Sequence, residues 1–166
     1  TAGGNTGHVT IDNTTTALGV QGTVTGDLAL TSGAAITDSG TLTVAGTTTV
    51  TTDVADQTIT LGTLASSGNV ILSTAGTAGH VTIDNTTTAL GVQGTVNGNL
   101  ALTSGAAITD SGVLTVSGTT AATTDVDDVA ITLNELASTG AVTVTTQTAG
   151  GNTGHVTIDN TTTALA

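Results

Sequence analysis

Residues 7–40 read GHVTIDNTTTALGVQGTVTGDLALTSGAAITDSG, and residues 79–112 repeat them with two changes, Thr25/Asn97 and Asp27/Asn99. Apolar and small polar residues alternate along this stretch in short pieces such as Val9-Thr10-Ile11 and Leu28-Ala29-Leu30. The same rhythm continues beyond it in Leu42-Thr43-Val44 and Ile59-Thr60-Leu61. Period-two alternation carried by β-branched residues is the pattern of a short strand with one buried face. Gly, Ser and Asp punctuate the pieces, as in Thr31-Ser32-Gly33 and Asp38-Ser39-Gly40, and read as turns. Val70-Ile71-Leu72 is apolar throughout, but its second copy, Val142-Thr143-Val144, alternates again. Weaker candidates at 18–20, 34–36 and 48–50 bring the expectation to roughly eight or nine strands per repeat. No stretch pairs a helix cap with an amphipathic stripe.

The repeat is long. HVTID recurs at His8, His80 and His155, and the opening stretch 1–18 returns letter for letter at 148–165. A near-fixed period of roughly 72–75 residues marks a supersecondary module that stacks on its neighbours. The expected organisation is one continuous β-solenoid over residues 1–166, a segment of a longer array. Its modules are 8–79 and 80–154, with partial modules 1–7 and 155–166. Three strands per coil would give about three coils, of roughly 24 residues each, per module. The fold class is therefore all-β, a parallel β-helix with Val, Ile and Leu ladders inside and Thr ladders outside. The alternative is a string of small β-sandwiches, which usually need a bulky Trp or Tyr in the core. This chain has no aromatic residue at all.

Composition excludes several functions. There is no Lys, Arg, Pro, Cys, Met, Phe, Tyr or Trp, and twelve acidic residues leave a formal charge of −12. A chain without a fixed cation cannot neutralise phosphates, so nucleic acid is excluded as a partner. Attraction to anionic lipid is excluded for the same reason. No apolar run reaches the length of a membrane span. The low charged fraction and positive mean hydropathy argue against disorder.

Residues 17–51, ALGVQGTVTGDLALTSGAAITDSGTLTVAGTTTVT, resemble repeats of large bacterial secreted exoproteins of the filamentous haemagglutinin type. The likeness lies in the LG turn, GDLALTSGAAITDSG and LTVAGTTT, and similar residues return at 89–120. The resemblance implies a right-handed parallel β-helix, export across the outer membrane, and roles in adhesion, aggregation or biofilm scaffolding.

Candidate sites can be weighed residue by residue. Three coils would separate successive His residues by roughly 14 Å, too far to share a metal. Within HVTID, His8 and Asp12 would lie roughly 13 Å apart, so they form no catalytic dyad. Most acids recur singly in turns, as at Asp12, Asp38 and Asp53, rather than in the converging pair that glycoside hydrolysis needs. The densest cluster is Asp125-Val126-Asp127-Asp128, where Asp125 and Asp127 would project from one side of a strand. Asp125, Asp127 and Asp128 are thus the candidate Ca²⁺ ligands, although hydrated turn acids are the favoured explanation. The equivalent Asp53-Val54-Ala55-Asp56 keeps two of the three acids.

Thr-x-Thr pairs at Thr23/Thr25, Thr41/Thr43, Thr49/Thr51 and Thr58/Thr60 raise ice binding. The uneven gaps between them fit no single coil length. Asn13-Thr14-Thr15, repeated at Asn85 and Asn160, fits the glycosylation acceptor pattern. The expected function is a non-enzymatic extracellular structural segment at a bacterial cell surface: a fibre body or adhesin stalk. No cofactor beyond possible Ca²⁺ is called for. Expected partners are further copies of the chain, with host-cell, glycan or matrix contacts. The alternative is an ice- or glycan-binding solenoid using an exposed Thr/Asn face.

Overall fold

The computed structural model describes residues 7–147 and 154–161, and every regular element in them is a β-strand. The first module contributes β1 (Val9–Asn13), β2 (Leu18–Val24), β3 (Leu28–Ser32), β4 (Ile36–Val44), β5 (Thr48–Ala55), β6 (Ile59–Ser66) and β7 (Val70–Ala75). The second repeats them as β8 (Val81–Asn85), β9 (Leu90–Val96), β10 (Leu100–Ser104), β11 (Ile108–Val116), β12 (Thr120–Asp127), β13 (Ile131–Ser138) and β14 (Val142–Gln147). β15 (Val156–Asn160) opens a third.

Odd-numbered strands form one eight-stranded sheet, here sheet A, and even-numbered strands a seven-stranded sheet, sheet B. Every pairing is parallel and joins a strand to the next but one in sequence. The chain therefore winds as a β-solenoid, crossing from sheet to sheet with two strands per coil. Both sheets run uninterrupted past the module boundary, through β5–β7–β9 and β6–β8–β10. Tandem sandwiches would have broken them there.

Two strands per coil replaces the expected three, and seven strands per module replaces eight or nine. The reason lies in β4. Asp38-Ser39-Gly40 is not a turn but the irregular middle of one nine-residue strand, which joins the pieces at 34–36 and 42–44. Its register with β6 slips between Thr37 and Leu42, and β11 repeats this against β13. The extra residues are absorbed as a bulge while pairing resumes beyond it. Coil length consequently varies without loss of stacking: Leu18 pairs with Ile36, 18 residues on, and Ile131 with Val156, 25 residues on.

Seven is odd, and this sets the symmetry of the rod. VTIDN is β1 on sheet A, β8 on sheet B and β15 on sheet A again. Successive modules are thus displaced by three and a half coils and face opposite ways.

Between the sheets lies a single core of Val, Leu, Ile and one Ala. On sheet B, Leu18, Ile36, Ile59, Val81, Leu100, Thr120 and Val142 form one continuous inward column. Burying each aliphatic side chain contributes about 1.5–3 kcal/mol, so stability accumulates with length and needs no aromatic. The column turns polar at Thr120, as its sheet A counterpart does at Thr48 one module earlier. Thr48 Oγ1 meets Ser66 Oγ across the core at 3.1 Å, and Thr120 Oγ1 donates to Ser138 Oγ at 3.0 Å. Each pair is fully buried. Pairing the hydroxyls with one another meets the demand that buried polar groups be hydrogen-bonded.

Candidate functional site

The chemistry-bearing side chains of this chain are mostly turned back onto its own backbone. His8 and His80 stand at the corners just before β1 and β8. His8 Nδ1 accepts the Asp27 N–H at 3.0 Å, and Asp27 Oδ1 accepts the Thr47 N–H at 2.8 Å. One module later His80 Nδ1 accepts the Asn99 N–H at 2.8 Å, and Asn99 Oδ1 accepts the Thr119 N–H at 2.9 Å. Each side chain thus takes the corner amide of the next coil, one above another. An Nδ1 that accepts an amide carries no proton. The approach of Asp27 Oδ2 to the same nitrogen, 3.2 Å, is therefore an ion pair only in a protonated state that would forfeit the amide bond. The half-turn between modules puts His8 and His80 at opposite sheets, roughly 17 Å apart along the axis at about 4.8 Å per coil. They share neither a coil nor a face, which corrects the expectation of a closer, same-side stack. His155 is exposed, and its carbonyl accepts the Ile131 N–H.

The repeated Asn-Thr-Thr is structural in the second module. Asn85 is fully buried, its Oδ1 accepting the Ser66 N–H at 2.8 Å and its Nδ2 donating to the Ser66 carbonyl at 3.1 Å and the Thr88 carbonyl at 2.9 Å. Asn160 brackets Ser138 in the same way, at 2.8 and 3.0 Å. A carboxamide clamped to the coil below cannot act as a glycosylation acceptor in the folded protein, so that reading of Asn85 falls. Asn13 Nδ2 donates to the Thr16 carbonyl within its own turn. Sequence inspection saw the repetition of the Asn but not its partner, which belongs to the preceding coil.

The acids divide by position. Asp38 sits in the bulge of β4, where Oδ1 accepts the Gly62 N–H at 3.0 Å and Oδ2 accepts the Thr63 hydroxyl at 3.1 Å. Asp110 does the same for the Glu135 N–H. Asp84, outward on β8, has a buried Oδ1 without a hydrogen-bond partner. Burial first, then the negative neighbours Asp125 and Asp38, push its carboxyl above the ordinary value. Asp38 has both oxygens committed to β6, so the two carboxylates do not jointly present a free acid–base pair.

Asp125, Asp127 and Asp128 are not drawn together. The pairing of β12 with β14 slips between Thr124 and Asp127, so Asp125 falls in the irregular end of the strand. Asp128 follows in a left-handed conformation, φ 62°. Among the described residues no three His or acidic side chains are gathered as a metal-ligand set.

Asp56, equivalent to Asp128, shows what such a residue does. At φ 63° its Oδ1 accepts the Thr77 and Ala78 N–H groups, both at 2.8 Å. These bonds, Thr77's first, hold its carboxyl below the ordinary value of 3.8. A depressed carboxyl stabilises the fold fully above its unfolded pKa, and the contribution is lost as pH falls through the lower folded one. Asp84 has the opposite sign, its protonation favouring the folded state. Amide protection at Thr77 and Ala78 is therefore expected to collapse in acid, below the unfolded value of 3.8. In Asp56→Asn it should be pH-independent. Hydrogen exchange by NMR measures this, and equal acid sensitivity in both proteins would refute the assignment.

The outer faces carry Thr and Ala in register. On sheet A, Ala29, Thr49 and Ile71 stack in one column and Thr31, Thr51 and Ser73 in the next. On sheet B, Ala101, Ala121 and Thr143 stack beside Thr103, Thr123 and Thr145, each one module later than its counterpart. Of the Thr-x-Thr pairs, Thr49/Thr51 stands on sheet A, while Thr23, Thr41, Thr43 and Thr60 belong to strands of sheet B. Thr23 and Thr43 share a column of sheet B, Thr60 stands in a different one, and Thr49/Thr51 lies on the other sheet, so no single column holds all four pairs. Where β1 and β2 begin the sheets there is a depression of about 390 Å³, lined chiefly by Val9, Ile11, Leu18, Val24 and Leu28. It is an opening onto the core with no titratable group among its lining residues.

No helix of the described residues is long and apolar enough to cross a membrane. A family described as repeats of unknown function (DUF5649) matches residues 6–75 and again 78–137, and the two matches begin at equivalent places just ahead of His8 and His80. No curated protein and no solved structure matches the chain.

Proposed function

The chain belongs to the DUF5649 repeats, and we propose that it serves as a non-enzymatic structural segment, the body of an extracellular fibre or adhesin stalk. The observation that carries this reading is the use of its polar groups. His8, His80, Asn85, Asn99, Asp27, Asp38 and Asp56 each hold backbone of an adjacent coil. Side chains that could do chemistry are consumed in keeping coil on coil. The filamentous haemagglutinin-type likeness of residues 17–51 supports placing the segment at a bacterial cell surface, in adhesion, aggregation or biofilm scaffolding. The Thr/Ala columns favour a second reading, an ice- or glycan-binding face.

Electron microscopy with averaged power spectra tests the first reading. Slender rods with an axial reflection near about 4.8 Å are expected. Beaded or globular particles would overturn it, as would turnover on a panel of acidic and neutral polysaccharides. Thermal hysteresis or specific glycan capture would move the assignment to the second reading.

A further inference from the structure

We propose that the two outer faces of the solenoid are a self-association surface, and that the half-turn between modules makes association propagate into layers rather than stop at a pair. The proposal rests on the rod-like structural reading and names its partner: a second copy of this chain.

Charge placement is the first ground. The chain carries −12 and no fixed cation, so copies repel wherever acids meet. Yet β3, β7, β10 and β14 hold no charged residue, nor do the paired stretches 48–52 of β5 and 120–124 of β12. Acids are displaced to the corner at Asp27, to the ends of β5 and β12 at Asp53 and Asp125, and to the flanking strands at Asp12 and Asp84. Each face thus presents a neutral Thr/Ala patch, with Ile71 partly exposed on sheet A. Neutral faces can meet without desolvating a charge, and salt screens the acids at the edges.

Symmetry is the second. Thr31, Thr51 and Ser73 point out from sheet A, and their counterparts Thr103, Thr123 and Thr145 point out from sheet B. Two equivalent patches facing opposite ways leave one free after the other has docked. Such contacts stay open and grow, whereas a single self-complementary patch closes as a dimer.

Area sets the strength. Three strands at about 4.8 Å and five residues at about 3.3 Å each give a neutral patch of roughly 240 Å². A standard interface buries about 800 Å² per partner. Each neutral patch is well below that size, so association is weak, salt-dependent and concentration-dependent.

Sedimentation equilibrium at high protein concentration, in low and high salt, reads this directly. In high salt the average mass is expected to climb past twice the 15.7 kDa chain mass. Thr51→Glu, which charges sheet A alone, should cap it at twofold. Thr51→Glu with Thr123→Glu should hold it at one chain, with unchanged circular dichroism. A wild-type mass that stays at one chain in every salt overturns the proposal, as does a double variant that assembles like the wild type. Because microscopy reports rods independently, single rods of one-chain mass would sink only the layer proposal. Absence of rods would sink the structural reading beneath it.

Discussion

Gly94→Ala is expected to destabilise the protein by about 4 kcal/mol or more, the range of outright steric conflict. Gly94 lies in β9 at φ 118°, directly over Leu72 of β7. A Cβ built there would overlap the Leu72 carbonyl oxygen and stand 2.9 Å from its nitrogen. Both are backbone atoms held in the ladder, so neither can move without unpairing the coil. A positive φ alone costs about 1–3 kcal/mol for a residue with a side chain. Gly22 supplies the control: it is the same residue of the first module, at φ 120°, and its Cβ would meet nothing within 4 Å. Gly22→Ala should therefore show the conformational cost alone. Without Trp or Tyr the chain offers no intrinsic fluorescence, so urea unfolding followed by far-ultraviolet circular dichroism is the measurement. Equal losses at the two positions would show that the approach of Leu72 contributes nothing.

Asn85→Ala comes next, at about 2 kcal/mol, since the buried Ser66 N–H loses its partner, which costs about 1–3 kcal/mol unmet, while the Ser66 carbonyl keeps the Thr88 hydroxyl. The same truncation at Asn13 removes only bonds to Thr16 in an exposed turn and should cost under about 1 kcal/mol. The contrast tests position rather than residue type, because both lie in the identical VTIDN-TTT context. Matching effects would mean that the Asn acts through its own turn and not through the clamp on the coil below. Hydrogen exchange localises the damage: protection should be lost at the Ser66 and Asn85 amides first.

These two residues also show how far the sequence could be read. The buried faces were legible: Leu28 and Leu30, Ile59 and Leu61, Val70 and Leu72 all point inward as their alternation required. So was the stacking of near-identical modules, from the return of HVTID at His8, His80 and His155. The corner roles of His80 and Asn99 were not legible, since each partner is a backbone amide about one coil away and backbone amides leave no trace in composition. The push of Asp125 and Asp38 on the Asp84 carboxyl was hidden likewise. Those residues stand far apart in sequence and meet only because coils of unequal length fall into step.

Sequence by itself determined the class of the fold, its inside and outside, its repeat and its charge. Alternation states which side of a strand is buried, and twelve acids without Lys or Arg set the charge at −12, whatever the topology. Only the tertiary structure decided the parity of the module. Whether Asp38-Ser39-Gly40 turns the chain or bulges a strand depends on Gly62 and Thr63, whose amide and hydroxyl groups bind Asp38 from the next coil. A bulge makes seven strands instead of eight or nine. With two strands to a coil, seven is the count that turns every module to face opposite its neighbour.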